Sequence, residues 1–286
     1  MISPKATRLM LNMKKHEIDV FDEFGRYNYI NTQKPLPSHT HPSMIEICYL
    51  AKGNQEYFVG DQTFKLYGGD VFITFPDEVH GTGEIPEKKG VLYWLVLKRP
   101  EEGKDYLGLN HIEAETLFTQ LLQLPQRHFK GDNTCEKLLK RVINLYFSDQ
   151  NTLTKIELNN LLVAFLLQII RMGQEKHARA YSQCIAITID YIEKNLFETI
   201  DLEKMADKCN LSLSRFKHLF KKETGIPPSE YIIRKKIEKA QILLEEQNLS
   251  VKDIAYDLGF SSSAYFSTVF KQYNGYSPTE YLKLNK

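Results

Sequence analysis

Residues 254–281 read IAYDLGFSSSAYFSTVFKQYNGYSPTEY, and this stretch repeats an earlier part of the chain, MADKCNLSLSRFKHLFKKETGIPPSEYI at 205–232. A shift of 50 residues aligns the two stretches, and a shift of 49 aligns Ala206 with Ala255 ahead of the turn. So many matches in order predict a duplicated supersecondary unit. Under the longer shift the identical pairs are Ser212 and Ser262, Phe216 and Phe266, Phe220 and Phe270, Lys221 and Lys271, Gly225 and Gly275, Pro228 and Pro278, Glu230 and Glu280, and Tyr231 and Tyr281.

Each copy has the pattern of a helix, a tight turn and a second helix. In the second copy the apolar face of the first helix ends at Gly259, a residue suited to a left-handed helix end. Asn210 stands at that place in the first copy, and asparagine also tolerates positive φ. The small residues Ala206 and Ala255 let the two helices cross closely. The pattern therefore predicts two helix-turn-helix units, each of which can insert its second helix into the DNA major groove.

The two quoted stretches resemble the paired helix-turn-helix units of the AraC/XylS family of bacterial transcription regulators, over roughly the C-terminal third of the chain. In the first copy the resemblance continues through Lys236 and Ala240. It implies a seven-helix DNA-binding domain in which a long helix near Ser229–Glu246 joins the two units. Such a helix would place the two recognition helices in successive major grooves, about 34 Å apart.

Charge is uneven within this region. Residues 204–239 carry ten Lys/Arg against four Asp/Glu, a net charge of +6, whereas residues 240–286 carry four against five, a net charge of −1. The first unit is therefore predicted to anchor phosphates, with Lys217 a candidate donor to guanine. Many family members have arginine where Thr268 stands, so we expect weak guanine reading by the second unit. The predicted DNA-contacting residues are Ser214, Arg215, Lys217, His218, Lys221, Lys222, Ser262, Ser263, Ala264, Ser267, Thr268 and Lys271.

The first hundred residues have the pattern of an antiparallel β-structure. Short apolar runs alternate with Gly, Pro and Asp, and Gly60-Asp61 is typical of a hairpin turn. Many short strands without intervening helices predict a barrel or a sandwich. The predicted strands are Met44–Leu50, Gln55–Val59, Thr63–Leu66, Val71–Phe75 and Val91–Leu97.

A cluster of His and Glu residues lies in this β-region. The spacing of His39, His41 and Glu46 resembles the first motif of the cupin superfamily, and His80 after Gly69–Pro76 resembles the second, although the usual glycine before that histidine is absent. The resemblance implies that the four side chains surround one point inside a barrel. Three imidazoles and one carboxylate suit divalent Fe, Mn, Ni or Zn.

Two other interpretations remain open for these residues. The four side chains can line an effector pocket without any metal, which the resemblance to the regulator family favours, or His39 and His41 can be solvated loop residues. The predicted pocket comprises His39, His41, Glu46, His80 and Tyr93. Aromatic rings near such a pocket suit a sugar or a small aromatic acid.

From about residue 111 the hydrophobic period becomes helical. One stripe contains Leu139, Val142 and Tyr146, and a second has coiled-coil-like spacing. The two helices can cover the barrel, the second can form a dimer interface, or both roles can hold together. The polar segment 173–180 marks the predicted domain boundary. The second stripe consists of Leu158, Leu162, Phe165 and Ile169.

Composition narrows the class of protein. The 286 residues are 42% hydrophobic and 26% charged with a net charge of +1, as in soluble globular proteins, and no membrane partner is expected. The first twenty residues contain no continuous apolar region, so we expect no signal peptide and a cytoplasmic protein. The scattered cysteines predict small buried hydrophobes in a reducing compartment, neither a zinc site nor a disulfide framework. They are Cys48, Cys135, Cys184 and Cys209.

Together these observations predict a two-domain α+β protein. Residues 1–110 form a cupin-like antiparallel β-barrel, 111–175 a helical hairpin for dimerisation, and 176–286 an all-α double helix-turn-helix domain. The expected function is a DNA-binding transcription regulator that responds to a small-molecule effector, a sugar or related metabolite. Its expected partners are an operator duplex, the effector, a second copy and RNA polymerase; no cofactor is expected beyond the metal considered above. The alternatives are a metal-dependent cupin enzyme fused to a DNA-binding tail, and a constitutive DNA-binding protein with a vestigial sensor.

Overall fold

The computed structural model describes residues 6–174, 181–224, 226–246 and 249–284. The chain forms two compact units. One contains most of the N-terminal part, and the other contains the C-terminal part together with the short segments Ile30–Lys34 and Pro86–Lys89. The predicted boundary segment lies outside the described residues from residue 175 onward, as does Gly225 of the repeat.

The first unit contains an antiparallel sheet whose long central strand pairs with four others. The first half of β3 pairs with β5 and β7, and its second half pairs with β4 and β6. The predicted hairpin forms between β3 and β4, with Gly60 at φ 55°. The strands in the described residues are β1 (Arg8–Met10), β2 (Phe21–Tyr29), β3 (Ile45–Val59), β4 (Gln62–Tyr67), β5 (Asp70–Thr74), β6 (His80–Gly81), β7 (Gly90–Leu97) and β8 (His128–Lys130).

The two faces of this sheet belong to two different hydrophobic cores. Side chains alternate along β3, so Ile47 and Tyr49 lie on one face and Cys48 and Leu50 on the other. The face with Ile47 shares its core with the helices that follow the sheet. The opposite face packs inward residues of five strands against one another, so the sheet closes around them. Glu46 is on this enclosed face.

Within the part of the first unit that the structure describes, three α-helices accompany the sheet: α1 (His111–Leu122), α2 (Asn133–Tyr146) and α3 (Thr152–Gln174). The helical hairpin that the period predicts is formed by α2 and α3. The predicted coiled-coil-like stripe on α3 faces its own unit, because Leu158, Leu162, Phe165 and Ile169 are completely buried in the core beside the sheet. By length and composition α3 could cross a membrane, but half of its most apolar window is buried inside the protein, as in the core helix of a soluble domain.

The second unit is helical in its described residues and contains the predicted repeat. Each helix-turn-helix has its own hydrophobic core. The turn residues Asn210 and Gly259 adopt φ values of 53° and 69°, as the repeat predicts. The long helix α7 (Pro228–Glu245) joins the two helix-turn-helix units. The helices are α4 (Gln183–Lys194), α5 (Leu202–Lys208), α6 (Leu213–Thr224), α7 (Pro228–Glu245), α8 (Val251–Asp257), α9 (Ser263–Asn274) and α10 (Pro278–Leu284).

The cysteines divide into two pairs with different chemistry. Cys48 and Cys135 are buried thiols outside any disulfide, as predicted, and burial raises the pKa of the Cys135 thiol to about 12. Cys184 and Cys209 form a disulfide across 25 residues, so the prediction of four small buried hydrophobes is wrong for them. The error arises because α4 and the end of α5 bring the two residues together, which sequence spacing does not reveal.

Candidate nucleic-acid interface and ligand site

Helix α6 presents a polar, cationic surface. Phe216 and Phe220 are completely buried in the core of the first helix-turn-helix, and Lys217 and His218 between them are exposed. The surface of α6 therefore carries four positively charged side chains, and all four are exposed. The predicted DNA-contacting residues on this helix are all exposed: Ser214, Arg215, Lys217, His218, Lys221 and Lys222.

Helix α9 presents a neutral surface instead. Ala264, Thr268 and Lys271 are exposed, and Ser263 and Ser267 are half-buried. The Thr268 hydroxyl donates to the backbone oxygen of Ala264 at 3.0 Å, which leaves its methyl group for an apolar contact such as a thymine methyl.

Two predicted residues of the second copy have structural partners. The Ser262 hydroxyl caps α9 by accepting a hydrogen bond from the Tyr265 backbone N–H. The Lys271 ammonium lies 3.6 Å from Glu280 Oε2. Lys271 is therefore partly neutralised by Glu280, although both side chains are well exposed.

Tyr265 is a candidate contact that the sequence interpretation missed. Its side chain is 48% exposed on α9, next to Ala264 and Thr268. The 50-residue shift aligns Tyr265 with Arg215 of the first copy, so the repeat itself carried the signal. A tyrosine there offers an apolar ring and one hydroxyl where the first copy offers a guanidinium.

A cluster of four donors lies on the enclosed side of the sheet in the first unit. Glu46 comes from β3, His80 from β6, and His39 pairs through its backbone with His80. One ligand atom from each of these residues and from His41 lies within 4.8 Å of the others. Glu46 and His80 are buried, and His39 and His41 are half-buried. The interpretation of His39 and His41 as solvated loop residues does not agree with this packing.

Backbone carbonyls orient two of the imidazoles. The Nδ1 atom of His39 is 2.9 Å from Pro37 O, and the Nδ1 atom of His80 is 2.9 Å from Glu78 O. A carbonyl oxygen can only accept, so each Nδ1 carries a hydrogen and each neutral ring has its lone pair on Nε2. The His80 Nε2 atom lies 2.8 Å from Glu46 Oε2, yet it makes no hydrogen bond of suitable angle.

The cluster is electrostatically coupled. Burial opposes ionisation of Glu46, but His80 and the charges of the other imidazoles outweigh burial and hold the pKa of the carboxyl below its usual value. For His80, burial also disfavours the charged ring, but the Glu46 carboxylate outweighs it and raises the pKa. Burial lowers the pKa of His41. The Glu46 carboxylate thus stabilises a positive charge among the imidazoles, which either a proton on His80 or a bound cation can supply.

The donor set fits a divalent metal ion. Two ligand atoms that are each about 2.1 Å from a metal can be at most about 4.2 Å apart, so a largest separation of 4.8 Å requires only a small inward movement. The backbone hydrogen bonds at Nδ1 are the kind of second shell that orients metal-binding histidines. His39, His41, Glu46 and His80 would hold the ion.

Tyr93, a residue of the predicted pocket, lies on the other face of the sheet from this cluster. Tyr93 is buried on the opposite face of β7, in the core shared with the helices, so it does not line the predicted pocket. Trp94, one residue later, lies on the enclosed face, and its indole N–H donates to Glu23 at 3.0 Å. A strand reverses side-chain direction at each residue, so an error of one residue exchanges the two faces. Gly25 permits this packing, because a Cβ there would lie 2.3 Å from the Trp94 ring.

The described chain thus combines a ligand-binding β-unit with a duplicated DNA-binding unit, which defines a ligand-responsive class of DNA-binding regulator. Family comparisons agree with this architecture. The "AraC-like ligand binding domain" matches residues 21–166, more than half of the chain, and a "helix-turn-helix domain" matches residues 205–284. The chain belongs to the AraC family of transcription regulators. It is a regulator, and the alternative of a cupin enzyme is wrong.

Individual relatives cover most of the chain. An uncharacterised HTH-type transcriptional regulator, YfiF of Bacillus subtilis, is 28% identical over 87% of this chain and 79% of its own length. The Msm operon regulatory protein of Streptococcus mutans is 25% identical over 83% of each chain. The transcriptional activator RhaS of Escherichia coli is 24% identical over 93% of this chain and 95% of its own length.

Two solved structures resemble the chain with low TM-scores. The C-terminal domain of AraT, a response regulator from Geobacillus stearothermophilus, is 30% identical over 36% of this chain and 87% of that chain, with a TM-score of 0.35. ToxT of Vibrio cholerae covers 92% of this chain and 98% of its own, at 14% identity and a TM-score of 0.36. These scores add nothing to the family assignment.

Proposed function

We propose that the chain binds a specific operator through α6 and α9, and that a small-molecule effector bound beside His39, His41, Glu46 and His80 changes its DNA affinity. The observation that carries the proposal is the buried Glu46 carboxylate among three imidazoles on the enclosed face of the sheet. Burying a carboxylate is costly unless it serves a partner, and a regulator without a signal has no need of this cluster. Effector binding would shift the population of chains competent to bind DNA.

A sugar or a related metabolite fits this site. Imidazole and carboxylate groups supply hydrogen bonds for hydroxyl groups, and the half-buried His39 and His41 give access from solvent. Trp94 lies in the core on the same side of the sheet, as do Tyr27 and Tyr29, whose stacked rings have centroids 4.2 Å apart. Polar donors with nearby aromatic rings are the usual composition of small-molecule sites.

The test combines ligand screening with a matched pair of variants. Purified full-length protein is screened by thermal shift against monosaccharides and disaccharides, and each compound that stabilises it is then tested for its effect on binding to a duplex selected from fragmented genomic DNA. Glu46→Gln is expected to weaken the effector about tenfold to a hundredfold while DNA affinity is kept, because a charged hydrogen bond contributes about 1.5–3 kcal/mol. Glu84→Gln, at an exposed position, is the control.

Two outcomes would contradict this proposal. If no metabolite changes the melting temperature or the DNA affinity, the protein is a constitutive DNA-binding protein with a vestigial sensor. If Glu84→Gln reduces the response as much as Glu46→Gln, the effector does not bind at the cluster.

We further propose that the same four side chains bind a divalent transition-metal ion. The supporting observation is the pair of Nδ1 hydrogen bonds, which leave the Nε2 lone pairs of His39 and His80 available beside Glu46. A bound ion would supply positive charge that holds the electronegative groups of an effector. The residues of the chain would orient that ion and the effector.

Metal binding is expected to depend on the cluster alone. Apo-protein titrated with Zn²⁺ or Ni²⁺ should bind one equivalent, and His80→Ala should reduce the affinity at least a hundredfold, because loss of a ligand exceeds the 10–100-fold cost of losing a second-shell partner. His111→Ala, at an exposed position that begins α1, should bind as the unaltered protein does. Elemental analysis and calorimetry measure both. If folded protein takes up less than one equivalent of metal, the metal proposal is wrong and the pocket is metal-free.

We also propose that α3 pairs with α3 of a second copy. The core-facing stripe of α3 is already buried, but a separate row on its outer side has the three-and-four spacing of a coiled-coil seam. Leu153 is 78% exposed, Ile156 50% and Leu167 40%. Asn160 lies within the row, and a polar residue in a seam specifies register between two helices. A second copy is thus the occupant that this row fits.

The double variant Ile156→Asp/Leu167→Asp is therefore expected to convert a dimer into a monomer, because it would bury charges in the seam. Ile112→Asp is the matched control: Ile112 is 79% exposed, but it lies on α1. Sedimentation equilibrium measures the mass. A monomeric unaltered protein at micromolar concentration, or dissociation of the Ile112→Asp control, would contradict an α3 interface.

Two further elements of this proposal concern the cell. We propose a cytoplasmic location, because a DNA operator is the proposed target. RNA polymerase remains a predicted partner.

A further inference from the structure

The disulfide between Cys184 and Cys209 lies within the first helix-turn-helix unit. Cys184 is in the first turn of α4, and Cys209 caps the end of α5, with 5.4 Å between their Cα atoms. Both residues are half-buried, unlike the buried thiols of Cys48 and Cys135. Solvent and small reagents can therefore reach the bonded pair.

A small cavity opens beside the sulfur atoms. Lys208 lies at its edge, with its ammonium 4.7 Å from the centre of the Tyr191 ring. The thiolate is the reactive form in thiol–disulfide exchange. The cavity gives a low-molecular-weight thiol or hydroperoxide a route to the pair. Its lining comprises Cys184, Ile187, Thr188, Tyr191, Met205, Lys208 and Cys209.

The bond joins α4 to the turn that precedes the recognition helix. Cys209 is followed directly by Asn210, whose positive φ forms the turn between α5 and α6. Helix α5 has only seven residues, and Met205 and Ala206 are its only fully buried side chains. Apolar contacts therefore hold this helix weakly, and the covalent bond to α4 limits how far the turn can move.

The second helix-turn-helix unit holds the same turn differently. The 49-residue shift aligns Cys209 with Leu258, which is completely buried in the second core. A leucine at this position anchors the turn permanently by packing, whereas the cysteine of the first unit anchors it through a bond that a thiol can break. The duplicated units thus differ at one position in how their turns are anchored.

We propose that Cys184 and Cys209 are a reversible redox-modification site that sets the DNA affinity of the first helix-turn-helix unit. The oxidised form holds α5 and α6 in the geometry that fits DNA, and the reduced form must order the turn on binding. This inference rests on the proposed DNA-binding role of α6.

The chemistry balances with two classes of reagent. A hydroperoxide oxidises one thiolate to a sulfenic acid and leaves as an alcohol or water; the second thiol then attacks that sulfur and water leaves, so one hydroperoxide and two thiols yield a disulfide, an alcohol and water. In the reverse direction, two molecules of a small thiol reduce the disulfide by exchange and become a disulfide themselves.

The experiment compares oxidised and reduced full-length protein. Alkylation followed by mass spectrometry establishes the state of the Cys184–Cys209 pair after treatment with hydrogen peroxide or dithiothreitol. Fluorescence anisotropy then measures affinity for a random-sequence duplex at low ionic strength, where the cationic first helix-turn-helix unit dominates binding. The oxidised protein is expected to bind about tenfold more tightly, because the reduced protein loses conformational freedom on binding.

Two variants provide the controls. Cys209→Leu, which introduces the residue of the second unit, should bind DNA equally after both treatments. Cys48→Ser/Cys135→Ser should keep the full redox response. The inference is overturned if dithiothreitol does not open the bond in folded protein, if both states bind with equal affinity, or if Cys209→Leu retains the response. Absence of DNA binding in both states and in Cys209→Leu would instead contradict the proposed function.

Discussion

Replacement of Arg215, Lys217, Lys221 and Lys222 by glutamine in one variant is expected to lower DNA affinity by roughly a thousandfold or more at about 0.1 M salt. The four side chains are exposed on α6, where they are free to approach phosphates. Each phosphate contact releases counterions, so the slope of log affinity against log salt should fall by about 3.6 for four contacts. Fluorescence anisotropy across a salt series measures both quantities.

The matched control for this variant is Lys271→Gln on α9. Lys271 stands at the repeat position of Lys221, but it lies 3.6 Å from Glu280 and belongs to a region with a net charge of −1. Its replacement should change the salt slope by less than one. If the α6 variant retains its slope, the first unit does not anchor the phosphates, and the charge asymmetry between the copies has another cause.

Phe270→Ala is expected to unfold the second helix-turn-helix unit. Phe270 is completely buried, with ring centroids 5.6 Å from both Phe266 and Tyr281. Removing a buried phenyl ring leaves a cavity and costs about 3–5 kcal/mol of the free energy of unfolding. Urea denaturation followed by circular dichroism measures the loss. DNA binding should become non-specific while its salt dependence persists, because the first unit keeps its charges.

Tyr256→Ala is the control for the stability effect. Tyr256 is in the same unit on α8 but is 53% exposed, so its truncation should change stability by no more than about 0.5 kcal/mol. A loss below about 1 kcal/mol for Phe270→Ala would show that the second core does not depend on this ring. Equal sequence preference before and after the substitution would show that α9 does not read DNA bases.

Local patterns were sufficient to predict the C-terminal architecture. The helix-turn-helix pattern and the left-handed turn at Asn210 follow from residues close together in the chain, and the family resemblance implied the joining helix α7. The repeat strengthened each inference, because a position uncertain in one copy had a counterpart in the other. Tyr265 is an example, because its alignment with Arg215 in the first copy indicates an outward-facing position.

The β-region was less predictable for a physical reason. β2 and β8 lack clear alternation, because β2 reads FDEFGRYNY and β8 has only three residues. β8 joins the sheet only because β5 offers it an edge. The residues of the donor cluster were predicted from their resemblance to the two cupin motifs. Trp94, and not Tyr93, lies on the enclosed face of the sheet. This depends on the register between β2, β3 and β7, which involves residues far apart in sequence.

The sequence by itself determined the duplicated helix-turn-helix unit and its uneven charge, because both are matters of residue type and short spacing, whereas the four residues of the donor cluster were expected from their resemblance to the cupin motifs. The tertiary structure alone decided which face of β7 encloses the cluster, that the predicted stripe of α3 is buried within its own unit, and that Cys184 meets Cys209. These features depend on how distant segments pack together. Periodicity determines which residues share a face, but only packing decides what that face contacts.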